Sequence, residues 1–236
     1  MTTRWTDVVL DSRDPVALGR FWSSLLRTEV VDESPDEVDV AVADGLELVI
    51  VPVADPKVGK NRVHLDLASS SAEEQAEIVA RALELGAVRA DVGQRDVPWV
   101  VLADPEGNEF CVLEPRAEYT GTGPVAAVVV DALDPTAQAA FWAGVSGLPV
   151  VREHADCASL RRDSGPWLEF VRVAEPKTGK NRVHLDAAPF AGGDVATEVA
   201  RLEAAGAVRV DVGQRDVPWV VLADPEGNEF CVLTPR

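Results

Sequence analysis

One long segment of this chain occurs twice, and this repetition restricts the fold more than any other feature of the sequence. The stretch AVRADVGQRDVPWVVLADPEGNEFCVL at 87–113 returns at 207–233, with only Ala90 changed, to Val210. The two copies start 120 residues apart. That spacing is the length of a whole domain and is too long for the unit of a solenoid repeat. The chain is therefore expected to be a tandem duplication.

A second repeated segment has the same offset and helps to place the domain boundaries. KVGKNRVHLD at 57–66 returns as KTGKNRVHLD at 177–186. Between the copies, the sequence EPRAEYTGTGP replaces periodic apolar residues with Gly, Thr and Pro, which is typical of a linker. We expect one domain at 1–116, a linker at 117–124 and a second domain at 125–236.

Within each half, strand and helix signals alternate in the order βαβββ, and this order occurs twice. Asp14 followed by Pro15 is typical of a helix N-cap and first helical residue. Ser71 with Glu74 fits a capping box, and Gly86 fits a left-handed helix end. Alternating β-branched segments predict the strands. The predicted class is α+β, with four βαβββ modules in the chain.

Composition excludes some partners and favours others. Lys and Arg number 22 against 40 Asp and Glu, a formal charge of −18, which disfavours nucleic acid and anionic membrane surfaces. The charge suits either solubility alone or attraction of a cationic ligand. No apolar run reaches the roughly 18–20 residues needed to cross a bilayer, and no signal-peptide pattern is present. Three cysteines do not indicate a disulfide framework. We expect a cytoplasmic protein.

The quoted motifs resemble one known superfamily. Asp14-Pro15 followed by Phe21-Trp22, then KNRVHLD, then LADPEGNEFCVL are similar to the glyoxalase/bleomycin resistance protein/dioxygenase superfamily, also called the vicinal oxygen chelate (VOC) superfamily. The likeness covers nearly all of both halves and is closest to the actinobacterial glyoxalase-like branch. It implies cup-shaped mixed sheets built from paired modules, with a ligand cleft inside each cup. It does not fix a reaction, since one fold hosts many chemistries.

Alternation along the repeated strand predicts which side chains face a cup. In RVHLDL the polar residues fall on one face and the apolar residues on the other. The predicted cup-facing residues are Arg62, His64, Asp66, Arg182, His184 and Asp186. The alternative is a salt-bridged network on the sheet in which the histidines take no part in binding.

The resemblance also implies a metal site, because metal-using relatives take ligands from the first and fourth strands of two modules. In the first half the matching positions are Asp7, Glu47, His64 and Cys111. In the second half they are Ala127, Glu169, His184 and Cys231. Alanine cannot ligate, so the resemblance implies at most one divalent metal (Zn, Ni, Mn or Fe), in the cup that contains Asp7. If cups form within each half, Asp7 joins His64; if they form across the halves, it joins His184.

Three tryptophans are further candidates for ligand contacts. Trp5 alternates onto the face of Asp7, and Trp99 and Trp219 each begin a late strand in the sequence VPW. Each could stack on a ligand or fill the core.

These observations leave three functional hypotheses. The first is a non-catalytic or weakly catalytic small-molecule binder, like the antibiotic-sequestering relatives. The second is a metal-dependent lyase, isomerase or dioxygenase that uses Asp7, Glu47 and a histidine. In the third, the second half is a degenerate partner that completes the cups of the first. The duplication creates a pseudo-dimer in one chain, so we expect a monomeric pseudo-dimer or a homodimer.

Overall fold

A computed structural model describes residues 2–214 and 216–236 of the chain. Within them the four βαβββ modules are present in the predicted order. The first half contains β1 Thr3–Ser12, α1 Pro15–Leu26, β2 Val30–Glu33, β3 Val38–Ala43, β4 Leu46–Pro52, β5 Val63–Leu67, α2 Ala72–Glu84, β6 Val88–Arg89, β7 Val100–Ala103 and β8 Glu109–Val112. The second contains β9 Val125–Ala132, α3 Pro135–Ser146, β10 Val150–His154, β11 Cys157–Leu160, β12 Trp167–Arg172, β13 Val183–Pro189, α4 Val195–Ala204, β14 Val208–Arg209, β15 Val220–Ala223 and β16 Glu229–Val232. A short 3₁₀ helix, Ala117–Tyr119, lies between them.

The helices begin where the sequence predicts. The Asp14 carboxylate accepts a hydrogen bond from the Ala17 amide at 3.0 Å, and the Ser71 hydroxyl accepts one from the Glu74 amide at 3.1 Å. The Glu74 carboxylate accepts from the Ser70 amide at 2.6 Å, one residue earlier than in a standard capping box. The α+β class with four modules is confirmed.

The strands form two mixed sheets of eight strands, and each sheet takes one module from each half. One sheet has the order β14-β15-β16-β13-β1-β4-β3-β2, and the other has the order β10-β11-β12-β9-β5-β8-β7-β6. The first module of the chain therefore pairs with the last, and the second pairs with the third. Of the two arrangements that the sequence left open, the structure has the one across the halves.

The central strand pairs set the residues that meet inside each cup. Strands β1 and β13 are antiparallel, with Asp7 opposite Asp186 and Val9 opposite His184. On its other side, β1 pairs in parallel with β4, which places Asp7 opposite Glu47. The internal repeat reproduces this arrangement in the second sheet, where β5 pairs with β9.

While sheets join the halves, helix–turn contacts join the modules within one half. The indole N–H of Trp22 on α1 donates to the Asp104 carboxylate at 3.3 Å, and the Trp22 and Phe110 rings meet edge to face at 5.1 Å. Asp104 also accepts from the Asn108 amide at 2.9 Å, which holds the DPEGN turn. Burial of these aromatic side chains, worth about 1.5–3 kcal/mol each, places the helices over the outer face of the sheets. No helix among the described residues is long and apolar enough to span a membrane.

Candidate functional site

The sheet of β1–β4 with β13–β16 encloses a cavity of about 810 Å³, and we call this sheet and its cavity the open cup. Carboxyl side chains far outnumber basic ones in its lining, where Lys180 and Arg236 are the basic residues. The carboxyl residues are Asp7, Asp32, Asp36, Glu37, Asp39, Glu47, Asp186 and Glu229. A cavity with this lining attracts positive charge.

Asp39 shows how strongly the carboxylates of the open cup are crowded. It alternates on β3 with Val38 and Val40, which are buried in the core, so its side chain lines the cavity. Burial, followed by the charges of Glu37 and Glu47, raises the pKa of Asp39 to about 7. Its Oδ1 atom is buried and has no hydrogen-bond partner among the described residues. A cationic ligand would relieve this repulsion.

Asp7 is bound to an arginine of this chain. The Arg236 guanidinium donates a charged hydrogen bond to the Asp7 carboxylate. Burial raises the pKa of Asp7, and Arg236 opposes that effect. The counterpart of Arg236 in the first half, Arg116, instead binds Glu114 at 2.7 Å. Thr234 stands at the position of that glutamate, so Arg236 has no such partner beside it and reaches Asp7.

His184, Asp186 and Cys231 form a compact cluster in the open cup. His184 Nε2 lies 3.4 Å from Asp186 Oδ1 and 3.7 Å from Cys231 Sγ. Burial, followed by the charge of Lys180, lowers the pKa of His184 to about 3. Burial, followed by the charge of Asp7, raises the pKa of Asp186 to about 7, and burial raises the pKa of the Cys231 thiol. The imidazole is therefore neutral, and the thiol is protonated unless a cation binds beside it.

The second sheet, which we call the plugged cup, is filled by its own side chains. Tyr119 of the 3₁₀ helix donates through its hydroxyl to Glu169 at 3.1 Å and packs edge to face on Trp167 at 5.6 Å. The Ser159 hydroxyl donates to the other oxygen of Glu169 at 2.9 Å. A buried apolar cluster occupies the rest: Val101, Cys111, Leu113, Tyr119, Ala126, Ala127, Val129 and Trp167.

Strand register corrects the sequence-based match between Glu169 and Glu47. Trp167 is the residue opposite Ala127, as Glu47 is opposite Asp7, and Glu169 lies two residues further along, opposite Val129. Trp167 lies 120 residues after Glu47, which is the offset of the internal repeat, whereas Glu169 lies 122 residues after it, so the match to Glu169 departed from that offset. With Ala127 and Trp167 at the first- and fourth-strand positions, the plugged cup does not fit the ligand set that the resemblance implies.

The plugged cup nevertheless contains a second copy of the compact cluster. His64 Nε2 lies 3.5 Å from Asp66 Oδ1, and the donor atoms of His64, Asp66 and Cys111 all lie within 4.8 Å of one another. The Asp66 residue is only 9% exposed, and its Oδ1 has no hydrogen-bond partner among the described residues. The structure thus brings His64 and Asp66 together in one cup and His184 and Asp186 in the other, as the alternation predicts.

The three candidate tryptophans occupy different environments. Trp219 is 38% exposed and lines the open cup. Trp99 lies beside the apolar cluster of the plugged cup, with the Arg116 guanidinium 5.6 Å from its ring centroid. Trp5 is 1% exposed and belongs to the main core. The alternation that put Trp5 on the face of Asp7 fails because β1 changes register between these two residues, as in a β-bulge.

Arg62 and Arg182 are also not where alternation predicts. The Arg62 guanidinium donates to the carbonyl of Asp131 at 2.7 Å, and that of Arg182 donates to the Glu106 carboxylate at 2.8 Å. Both line a separate cavity of about 900 Å³ between the halves. The expectation that they face the cups is therefore wrong, because their long side chains reach the facing half at the start of β5 and β13.

Sequence reasoning missed three residues that shape the cups. Tyr119 is the only tyrosine of the chain and stands in a linker rich in Gly and Thr. A single aromatic residue in such a linker could have been predicted to be buried. Asp39 alternates with valines in VDVAVA, so a polar inward face could have been inferred. For Arg236 no local pattern indicates that it meets Asp7.

Comparison with known proteins agrees with this architecture. The sequence profile of the glyoxalase-like domain family matches residues 7–113 and 127–233, so the chain belongs to this family. Glyoxalase I from Zea mays is similar in structure, with a TM-score of 0.70, 13% identity and coverage of 99% of this chain and 92% of that chain. A putative dioxygenase from Bacillus subtilis has a TM-score of 0.65, 13% identity and coverage of 99% and 85%. At these identities the likeness shows the fold alone. No curated protein is significantly similar in sequence.

Proposed function

We propose that this chain binds a small organic cation in the open cup. The observation that carries the proposal is the carboxylate-lined cavity of about 810 Å³. Burial, followed by the charges of Glu37 and Glu47, raises the pKa of Asp39 to about 7, so a bound positive charge would be stabilised by carboxylates that repel one another. The volume lies within the range of about 300–1,000 Å³ typical of small-molecule sites.

Trp219 adds an aromatic surface to the same cavity. The exposed indole lies on the rim supplied by the second half, while Asp39 and Glu47 lie on the wall supplied by the first half. A cation over an indole face gains about 0.5–2 kcal/mol. The proposed ligand therefore combines a positive charge with an apolar or aromatic group. The open cup takes both of its modules from one chain, so binding requires no second copy and a monomer suffices.

The test is calorimetric titration with benzyltrimethylammonium, whose charge does not change with pH. Benzyl alcohol and benzoate serve as the neutral and anionic comparisons. We expect the ammonium to bind more tightly than both, and Asp39→Asn to weaken it several-fold. Glu84→Gln is the matched control, because Glu84 is exposed on α2 outside the cup. Equal affinity for the neutral and cationic compounds would overturn the proposal.

A second candidate is a metal-dependent lyase, isomerase or dioxygenase activity in the same cup. It is favoured by one observation: Asp7, Glu47 and His184 line a single cavity although they come from different halves. A divalent ion held there would act as a Lewis acid toward substrate oxygens. Because Arg236 already binds Asp7, this function requires the guanidinium to move away. Loss of metal uptake in Asp7→Ala would support it, and unchanged uptake would contradict it.

A further inference from the structure

We infer that the two His–Asp–Cys clusters are a pair of soft-metal sites, one in each cup. Each takes a divalent ion such as Zn²⁺ through His Nε2, one Asp oxygen and the Cys thiolate. The sites are His184–Asp186–Cys231 in the open cup and His64–Asp66–Cys111 in the plugged cup. This inference is independent of whether the open cup binds an organic cation.

The spacing of the donor atoms fits a tetrahedral ion. Zn²⁺ binds nitrogen and oxygen at about 2.0–2.1 Å and sulfur at about 2.3 Å, so tetrahedral geometry holds these donors about 3.3–3.6 Å apart. In the open cup, His184 Nε2 lies 3.4 Å from Asp186 Oδ1 and 3.7 Å from Cys231 Sγ. In the plugged cup, His64 Nε2 lies 3.5 Å from Asp66 Oδ1. Only small side-chain shifts are needed to admit the ion.

The direction of the contacts distinguishes metal binding from nucleophilic catalysis. A Cys–His–Asp relay requires the thiol at one ring nitrogen and the carboxylate at the other. In the open cup, the carboxylate of Asp186 and the sulfur of Cys231 both approach the same nitrogen, His184 Nε2. The contacts therefore do not form a relay, and the three donor atoms lie within 4.8 Å of one another, as a chelate requires.

The plugged cup supplies an independent sign that a ligand is expected there. Asp66 Oδ1 is buried within 3.5 Å of the His64 ring and accepts no hydrogen bond among the described residues. A buried carboxylate oxygen without a partner costs free energy, and a cation at this point would remove that cost. Because Tyr119 and Trp167 fill this cup, an ion there would be enclosed, as in structural zinc sites.

Each cluster shares its His and Cys with the ligand set that the resemblance implies, but its carboxylate comes from Asp66 or Asp186 on the same strand as the histidine. Asp7 and Ala127 lie in portions of the halves that have diverged, whereas all three donors of each cluster lie in segments repeated almost without change. All three also belong to one module, on β5 and β8 or on β13 and β16. Neither site therefore needs Asp7, Glu47 or Glu169.

The test uses Co²⁺, because a thiolate–cobalt bond gives a charge-transfer absorption that carboxylate and imidazole ligands alone do not. Metal-free protein is titrated with Co²⁺ and followed by absorption, with Zn²⁺ displacing the cobalt. We expect one ion for each cluster. Cys231→Ala should remove about half of the charge-transfer intensity, Cys111→Ala the other half, and the double variant all of it.

Three further variants keep the result decisive. Cys157→Ala removes the remaining cysteine and should leave the absorption unchanged. Asp186→Asn and Asp66→Asn preserve side-chain shape and should weaken cobalt binding at their own sites at least tenfold, with folding checked by circular dichroism. Absence of the charge-transfer band from the wild-type protein would overturn the inference. So would a band that survives in the Cys111/Cys231 double variant.

Discussion

The hydroxyl of Tyr119 donates a hydrogen bond to the carboxylate of Glu169 at 3.1 Å, inside the plugged cup. Tyr119 belongs to the short 3₁₀ helix between the two halves. The connection between the halves thus supplies the side chain that fills one cup, and the other keeps its cavity.

We predict that Tyr119→Phe destabilises the chain while leaving the ligand site of the open cup intact. The substitution keeps the ring on Trp167 but removes a buried hydrogen bond to a carboxylate, which is worth about 1.5–3 kcal/mol. Chemical denaturation should show that loss in the free energy of unfolding. Unchanged affinity for benzyltrimethylammonium is the control, and wild-type stability in the variant would contradict the role given to Tyr119.

Removal of the Arg236 guanidinium should strengthen cation binding. Arg236→Ala frees the Asp7 carboxylate for a ligand, and we expect binding of benzyltrimethylammonium roughly three- to tenfold tighter, or about 0.6–1.4 kcal/mol. The matched control is Arg116→Ala, which removes the equivalent arginine of the first half, where the partner is Glu114. Weaker binding in Arg236→Ala would mean that the arginine itself contacts the ligand.

Ionisation of Asp39 should change the affinity for the cation and the folding stability in opposite directions as the pH rises. Because its pKa in the folded chain is about 7 against 3.8 for the free side chain, the stability it contributes is fully present below 3.8. That stability is lost as the pH rises through about 7. Cation affinity should rise over the upper part of the same range, as the carboxylate ionises.

The comparison that isolates this carboxylate is Asp39→Asn against wild type. We expect the variant to be the more stable protein above pH 7 and equal to wild type below the pKa of the free side chain. Asp186 titrates in the same range and is present in both proteins, so its effect cancels. Identical stability curves from thermal unfolding across the range would show that Asp39 ionises normally.

Arg182 should contribute strongly to the association of the halves. Its guanidinium and the Glu106 carboxylate are both about nine-tenths buried and lie 2.8 Å apart. Because Glu106 keeps the Ser12 hydroxyl as a donor, loss of this charged hydrogen bond should cost about 1.5–3 kcal/mol. Arg182→Ala should lower the free energy of unfolding by that amount. Arg209→Ala, which breaks the exposed pair with Glu203, should change it by less than about 1 kcal/mol.

Much of the architecture could be predicted because its signals are local. Asp14 before Pro15 and Ser71 before α2 cap helices through contacts within one turn, and strand alternation placed His64 and Asp66 on one face. The same reasoning placed Trp5 wrongly, because the change of register in β1 breaks the alternation. Glu169 was misplaced for another reason: the repeat offset of 120 already matches Glu47 with Trp167, and the residue type was followed in place of that offset.

The pairing of the modules could not be read from the sequence for a different reason. Strand β1 can pair with β5 or with β13, and these strands share the sequence VHLD. No side-chain pattern therefore distinguishes β5 from β13 as the partner of β1. The choice rests on contacts between distant residues, such as that of Arg182 with Glu106, which involve long side chains and have no periodic signal.

Pairing of modules across the halves also sets an order of events for a chain that emerges from the ribosome. The plugged cup comes from the consecutive stretch 63–172 and can close while synthesis continues, whereas the open cup joins 3–52 to 183–232. Domains commonly fold as their residues become available during translation. The first cup to form then holds the early module in place for the late one, and the acidic cavity arises only in the final stage of folding.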